Sequence, residues 1–176
     1  NALAAWAVAK QMGLSPAEII SGLAGFCPVN RRFEVLHQSN KHLLVNDYAH
    51  HPTEIHTVFN TAKTFKYKRL IAVFQPHRYS RTKAMLHDFP AAFTLADEII
   101  LCPVYAASES VIEGGDSAAL EKSFNDKLTA STYLAHDLND ACLVLKDKLK
   151  EGDALLVIGA GDVEKIAYWA KDYFEG

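Results

Sequence analysis

Two spacings of apolar residues divide the chain. Near its start the spacing is helical: Ala2 to Met12 reads as one helix stopped by Gly13, and LSPAEIISGLAGF as a second. In the second, Ser15 stands at the N-cap, Pro16 at the first helical position and Glu18 where a capping box needs its acid. RRFEVLHQ then alternates apolar and polar residues, as a half-buried strand does, and the polar turn SNK folds it back into HLLVND as a hairpin.

After the hairpin the rhythm changes. Apolar residues at 55, 58, 59, 62 and 65 form a helical stripe in PTEIHTVFNTAKTF. RLIAVF and EIILCPV are short apolar runs of strand length, separated by SRTKAMLHDFPAAF, a helical segment in which Pro90 marks a kink or break. The helix DSAALEKSF is capped by Asp116 and followed by the strand STYLA. The helix DLNDACLVLKDKLK starts at the N-cap Asp137 and has Gly152 just past its end; the strand DALLVIG and the helix DVEKIAYWAKDYF complete the chain. Continuous apolar strands alternating with helices predict an α/β fold. It is Rossmann-like and doubly wound, with a mostly parallel sheet, helices on both faces and an antiparallel N-terminal edge hairpin. The long irregular stretch at 103–116, PVYAASESVIEGGD, has a length more often functional than idle.

The 176 residues suffice for one ordinary domain with a sizeable core, and a net charge of −3 gives no general attraction for nucleic acid or membrane. Between 63 and 83 the chain nevertheless carries Lys63, Lys66, Lys68, Arg69, Arg78, Arg81 and Lys83 without an acid, and the lysines read as a solvated face. Cys27, Cys102 and Cys142 are scattered without metal or redox spacing, which points to a reducing compartment. The opening NALAAWAVAK is too short to span a membrane; with no initiating Met, the chain reads as a piece of a longer or processed polypeptide.

In such sheets ligands bind beyond the carboxyl ends of the strands. Those ends deliver Asp47-Tyr48-Ala49-His50-His51, Gln75-Pro76-His77-Arg78-Tyr79-Ser80-Arg81, Pro103-Val104-Tyr105 and Gly159-Ala160-Gly161-Asp162. Arg78 and Arg81, three apart, share a face if a helix has begun there. Together with the helix start and His77 they suit a carboxylate or phosphate, the competing reading being solvated surface arginines. A dinucleotide fingerprint at GAGD fails because Glu164 stands at its third glycine position; a tight turn explains the glycines, and a weak phosphate nest stays open beside it. No metal site is expected: His50 and His51 are adjacent, and His51 to His56 is not the pair of a helical zinc site. His37, His42, His87 and His136 read as surface or structural residues, and Ser80 lacks a nucleophile elbow.

NDYAHHPTEI, followed about two dozen residues later by VFQPHRYSRT, closely resembles the C-terminal domain of the Mur ligase family, in the version that adds alanine. NALAAWAVA looks like the helix ending that family's central ATPase domain, CPVNRRFEVL like the arginine-bearing lead-in to the C-terminal domain, and PVYAASESVIEGGDS and LLVIGAGDV like its later loops. The resemblance divides the chain into 1–27, a helical tail of the ATPase domain with its linker, and 28–176, the amino-acid-binding domain. It implies a cytoplasmic ATP- and magnesium-dependent ligase of peptidoglycan precursor synthesis. The partners are ATP, L-alanine, UDP-N-acetylmuramate and two further domains that hold the sugar nucleotide, the ATP and most of the magnesium shell. Carried over residue by residue, Arg32 faces the ATP phosphates and Asp47 the ribose, Tyr48 and His50 line the amino-acid site, and His77, Arg78 and Arg81 hold the alanine carboxylate. Arg32, Asp47 and His50 are thereby the implied catalytic residues. The chain has no G-x-x-x-x-G-K-[ST] loop, so it is expected to hold half an active site and not to ligate alone. Two alternatives stand beside this: the paralogous ligase that recycles a muropeptide tripeptide, and a nucleotide- or metabolite-binding module without catalysis.

Overall fold

The computed structural model of the chain describes residues 2–26 and 29–176. It contains two compact units, residues 1–30 and 31–176, so the boundary expected after residue 27 falls at Cys27 and Pro28, outside the described residues. The first unit holds two helices, α1 (Ala2–Gln11) and α2 (Pro16–Ala24). The expected capping box is formed: the Ser15 N–H donates to Glu18 Oε2 at 2.8 Å and the Glu18 N–H to Ser15 Oγ at 3.4 Å.

The second unit is a six-stranded sheet of β1 (Glu34–Gln38), β2 (Leu43–Asp47), β3 (Arg69–Phe74), β4 (Glu98–Leu101), β5 (Ser131–Leu134) and β6 (Asp153–Ile158). Its order is β1-β2-β6-β3-β4-β5, and only β1 runs antiparallel to its neighbour. The hairpin register slips between Val35 and His37, a bulge that the alternation of the sequence does not announce. The last strand enters at the centre, between β2 and β3, which is why β6 is an unbroken buried run from Asp153 to Ile158.

Six helices cover the sheet: α3 (Pro52–Ala62), α4 (Tyr79–Ala84), α5 (Phe89–Ala92), α6 (Ser117–Lys127), α7 (Leu138–Lys148) and α8 (Glu164–Glu175). Alternate strand residues split the core in two. Val45, Leu70, Phe74, Ile99 and Leu156 pack with Ile55, Phe59, Phe93 and Phe124 from the α3, α5 and α6 side. Leu44, Ile71, Val73, Ile100 and Leu155 pack with Leu145, Ile166 and Ala170 of α7 and α8. The predicted stripe on α3 is the buried one, with Ile55, Val58, Phe59 and Ala62 inward. The single helix suggested by SRTKAMLHDFPAAF is two, α4 and α5. Pro90 sits in the first turn of α5, where its missing N–H costs nothing, and the chain breaks upstream of it. At the amino ends of the strands Arg69 holds Asp153 at 2.6 Å and Glu98 at 2.7 Å, tying β6 and β4 to β3.

Candidate functional site at the carboxyl edge of the sheet

Because β2, β6, β3 and β4 are parallel neighbours, their carboxyl ends deliver residues 47–51, 159–162, 75–81 and 103–105 side by side. Backbone bonds stitch these turns together: Gly159 N to Asp47 O at 3.0 Å, Arg78 N to Tyr105 O at 2.9 Å and Tyr105 N to Pro76 O at 2.8 Å. The non-glycine residues with positive φ among the described residues are Arg31, Phe33, Arg78, Ala107 and Ser108, all in segments at this edge. Each costs on the order of 1 kcal/mol, so the rest of the fold over-determines this edge.

A row of aromatic and cationic side chains runs along it. The Arg31 guanidinium lies 4.9 Å from the Tyr48 ring centre, Tyr48 meets His50 edge-on at 5.6 Å, and His50 lies 5.6 Å from His77. His77 stacks on Tyr105 at 5.7 Å, and Arg81 Nη1 lies 3.2 Å from His77 Nδ1. Burial, then the nearby Arg81 and His50, hold His77 below the ordinary histidine value. A neutral His77 accepts from Arg81 at Nδ1 and keeps a proton at Nε2, so the pair offers donors to an anion.

The expected pairing of Arg78 with Arg81 on one helical face is not what forms. The helix begins at Tyr79; Arg78 precedes it at φ 71, and its side chain is 49% exposed. The partner four residues before Arg81 is His77. Glu109, from the 103–116 segment, accepts from Ser80 N at 3.0 Å and Ser80 Oγ at 2.6 Å and lies 4.0 Å from Arg78. A carboxylate of the chain itself thus sits at the helix start where an anionic ligand was expected.

Asp47 is 5% exposed and accepts from Phe33 N at 2.6 Å and Ala49 N at 2.7 Å. Burial pushes its carboxyl above the ordinary value in spite of these bonds. Its oxygens therefore hold the 31–33 lead-in against the end of β2. Arg32, on that lead-in, is exposed, and its charge acts on Asp47 and Glu54. His50 Nδ1 lies 3.1 Å from Tyr48 O, while His51 caps α3 by accepting from Thr53 N at 3.3 Å.

Two residues to which the sequence assigned no individual role, Arg31 and Gln75, fasten this edge. Arg31 donates to Gly159 O and, at 3.1 Å, to Gly161 O, and pairs with Glu164 at 3.2 Å. The turn thus aims carbonyls at a guanidinium. The adjacent arginines 31 and 32 were the available signal, although not for the turn that Arg31 makes at φ 60. Gln75, buried, donates to Asp162 Oδ1 at 3.0 Å and accepts from Val163 N at 3.1 Å, locking β3 to the last turn. Among the described residues no three His, Cys, Asp or Glu side chains converge to hold a metal.

The Mur ligase glutamate ligase domain family matches residues 31–161. The UDP-N-acetylmuramate–L-alanine ligase of Clostridium acetobutylicum is 41% identical over 166 residues, 94% of this chain and 36% of that protein. The enzyme of the same name from Geobacter sp. strain M21 is 42% identical over 167 residues, with the same coverage. The chain therefore spans a little over a third of the length of these curated relatives. The solved UDP-N-acetylmuramate–alanine ligase of Thermotoga maritima matches at a TM-score of 0.78 and 25% identity, over 99% of this chain and 36% of that one. The solved murein peptide ligase of Psychrobacter arcticus matches at 0.66 and 26%, over 94% and 34%. The chain belongs to the Mur ligase family, as a C-terminal domain of that family.

Proposed function

We propose that this chain supplies the amino-acid side of an ATP-dependent ligase that joins L-alanine to UDP-N-acetylmuramate in peptidoglycan precursor synthesis. The observation that carries the reading is the His77–Arg81 pair, 3.2 Å apart, beside Tyr48 and His50 at the carboxyl edge of the sheet. A methyl side chain contributes only about 0.8 kcal/mol on burial, so a small amino acid must be anchored by its charges. Arg81 and His77 Nε2 take the carboxylate, with Arg78 at the rim, and Tyr48 and His50 line the space beside it. Support comes from relatives at about the two-fifths level of identity that bear the alanine ligase name.

In this reaction the lactyl carboxylate of the sugar nucleotide attacks the γ-phosphate of ATP, releasing ADP and forming an acyl phosphate. The amine then attacks the acyl carbon and phosphate leaves. The domain contributes position and charge. The exposed Arg32 faces the phosphates, and Asp47 holds the lead-in that carries Arg32 and reaches the ribose with its remaining acceptor capacity. His50 borders the amine. Magnesium falls mainly to the ATP-holding domain that the family resemblance implies. No described helix is long and apolar enough to cross a membrane, and the cytoplasm, where ATP and the sugar nucleotide meet, is the proposed location.

The test uses a full-length ligase carrying this domain. Phosphate release should be faster with free alanine than with the muropeptide tripeptide, and Arg81→Ala should raise the KM for alanine by the worth of a charged hydrogen bond, about 1.5–3 kcal/mol. A raised KM for ATP with that for alanine unmoved would sink the assignment; preference for the tripeptide would move the domain to the recycling paralogue.

A further inference from the structure

The 103–116 segment is the strand-end loop to which the chemistry above gives no role, yet it is clamped onto the start of α4. Tyr105 exchanges backbone bonds with Pro76 and Arg78 at 2.8 and 2.9 Å. Gly115 lies so close to Tyr79 that a Cβ there would sit 3.1 Å from the Tyr79 carbonyl carbon and nearer still to its oxygen. Between these anchors Ala107 and Ser108 adopt φ of 47° and 70°, turning the chain back so that Glu109 faces the helix. Glu109 accepts both Ser80 bonds, and its Oε1 lies 4.0 Å from Arg78 Nη1. The two arginines of this turn are therefore not equivalent. Arg78 already faces a carboxylate, whereas Arg81, among the described residues, meets only the imidazole of His77.

We propose that Glu109 is a specificity-determining residue that restricts the site to amino acids bearing a single carboxylate, by occupying Arg78 and placing a fixed negative charge beside the side-chain space. The inference rests on the alanine-ligase reading and extends it. One guanidinium, on Arg81, is left for the α-carboxylate. A second carboxylate on the substrate meets Glu109 instead of a free cation, which is discrimination by repulsion more than by fit. The excluded class is the acidic amino acids, of which aspartate, alanine with a carboxylate on its β-carbon, differs least in size.

Glu109→Gln tests this in a full-length ligase, because glutamine keeps the length and can still accept from Ser80 while losing the charge. The ratio of kcat/KM for aspartate to that for alanine should rise about tenfold or more, the worth of one charged hydrogen bond. Adding Arg78→Ala to Glu109→Gln should abolish most of that gain, since the freed guanidinium is its source. Equal losses with both amino acids, leaving the ratio unchanged, would make Glu109 a loop latch and overturn the inference. So would a gain that survives in the double variant. A wild-type enzyme that joins no alanine would instead overturn the functional reading, an outcome visible before any variant is made.

Discussion

Asp47 shows how far a residue's identity and its work can differ. Its position at the end of β2 marked it as a ligand-facing acid, and its carboxylate also accepts two backbone N–H bonds, across 14 and 2 residues of chain. Asparagine has one acceptor oxygen for those two donors, so Asp47→Asn should destabilise this chain by about 1–3 kcal/mol at neutral pH. Burial, the first cause, raises the folded-state value above the ordinary 3.8, so the folded protein binds this proton more readily than the unfolded chain. Its contribution is then greatest below the unfolded value and falls as pH rises through the folded one. The stability gap between wild type and variant should accordingly widen as pH drops through the carboxylate range. Urea melts at several pH values measure this; a narrowing gap would mean that the two N–H bonds outweigh burial. The pairing of His77 with Arg81 was hidden for a related reason. Spacing compared Arg78 with Arg81 inside an assumed helix, while the backbone at Arg78 turns to positive φ before the helix starts.

Elements were more legible than contacts. The strands β2, β3, β4 and β6 are apolar runs because they are buried on both faces, and their order along the chain with intervening helices left few arrangements open. Pro90 announced a break, but its place upstream, between α4 and α5, escaped, as did the bulge in β1, since both depend on what the segment packs against and not on its own pattern. The last turn, GAGD, lies between these cases: its glycines were visible, but not what approaches them. A Cβ on Gly161 would sit 2.6 Å from Tyr105 Cγ and would overlap Gln75 Oε1. Gly161→Ala must therefore displace both the amide that fixes Val163 and the ring that stacks on His77. A loss of about 1–3 kcal/mol in stability is expected from overpacking of this kind. In a full-length ligase the same change should raise the KM for alanine more than that for the sugar nucleotide. Equal effects on both would show that the Tyr105–His77 stack does not position the amino-acid site.

At the scale of the molecule, the unit from Arg31 to Gly176 has what independent folding requires. Its six strands are closed by helices on both faces, and two separate apolar clusters bury the alternating residues of the same strands. Its site edge is held by bonds internal to the unit, from Arg31 to the last turn and from Asp47 to the lead-in. The charges gathered at that edge suit a carboxylate and the outer phosphates, yet the sequence contains no loop to cradle a triphosphate. Among the described residues no converging acids hold magnesium. The proposed acyl-phosphate route needs both, which this edge is proposed to receive from other domains. The isolated chain should unfold in one cooperative transition and form no alanyl product from ATP, alanine and UDP-N-acetylmuramate, even at high protein concentration. Mass spectrometry of the reaction mixture decides it. ATP-dependent product from this chain by itself would mean that phosphoryl transfer takes place at the sheet edge, and that Arg31, Arg32 and Arg81 do more than receive what other domains prepare.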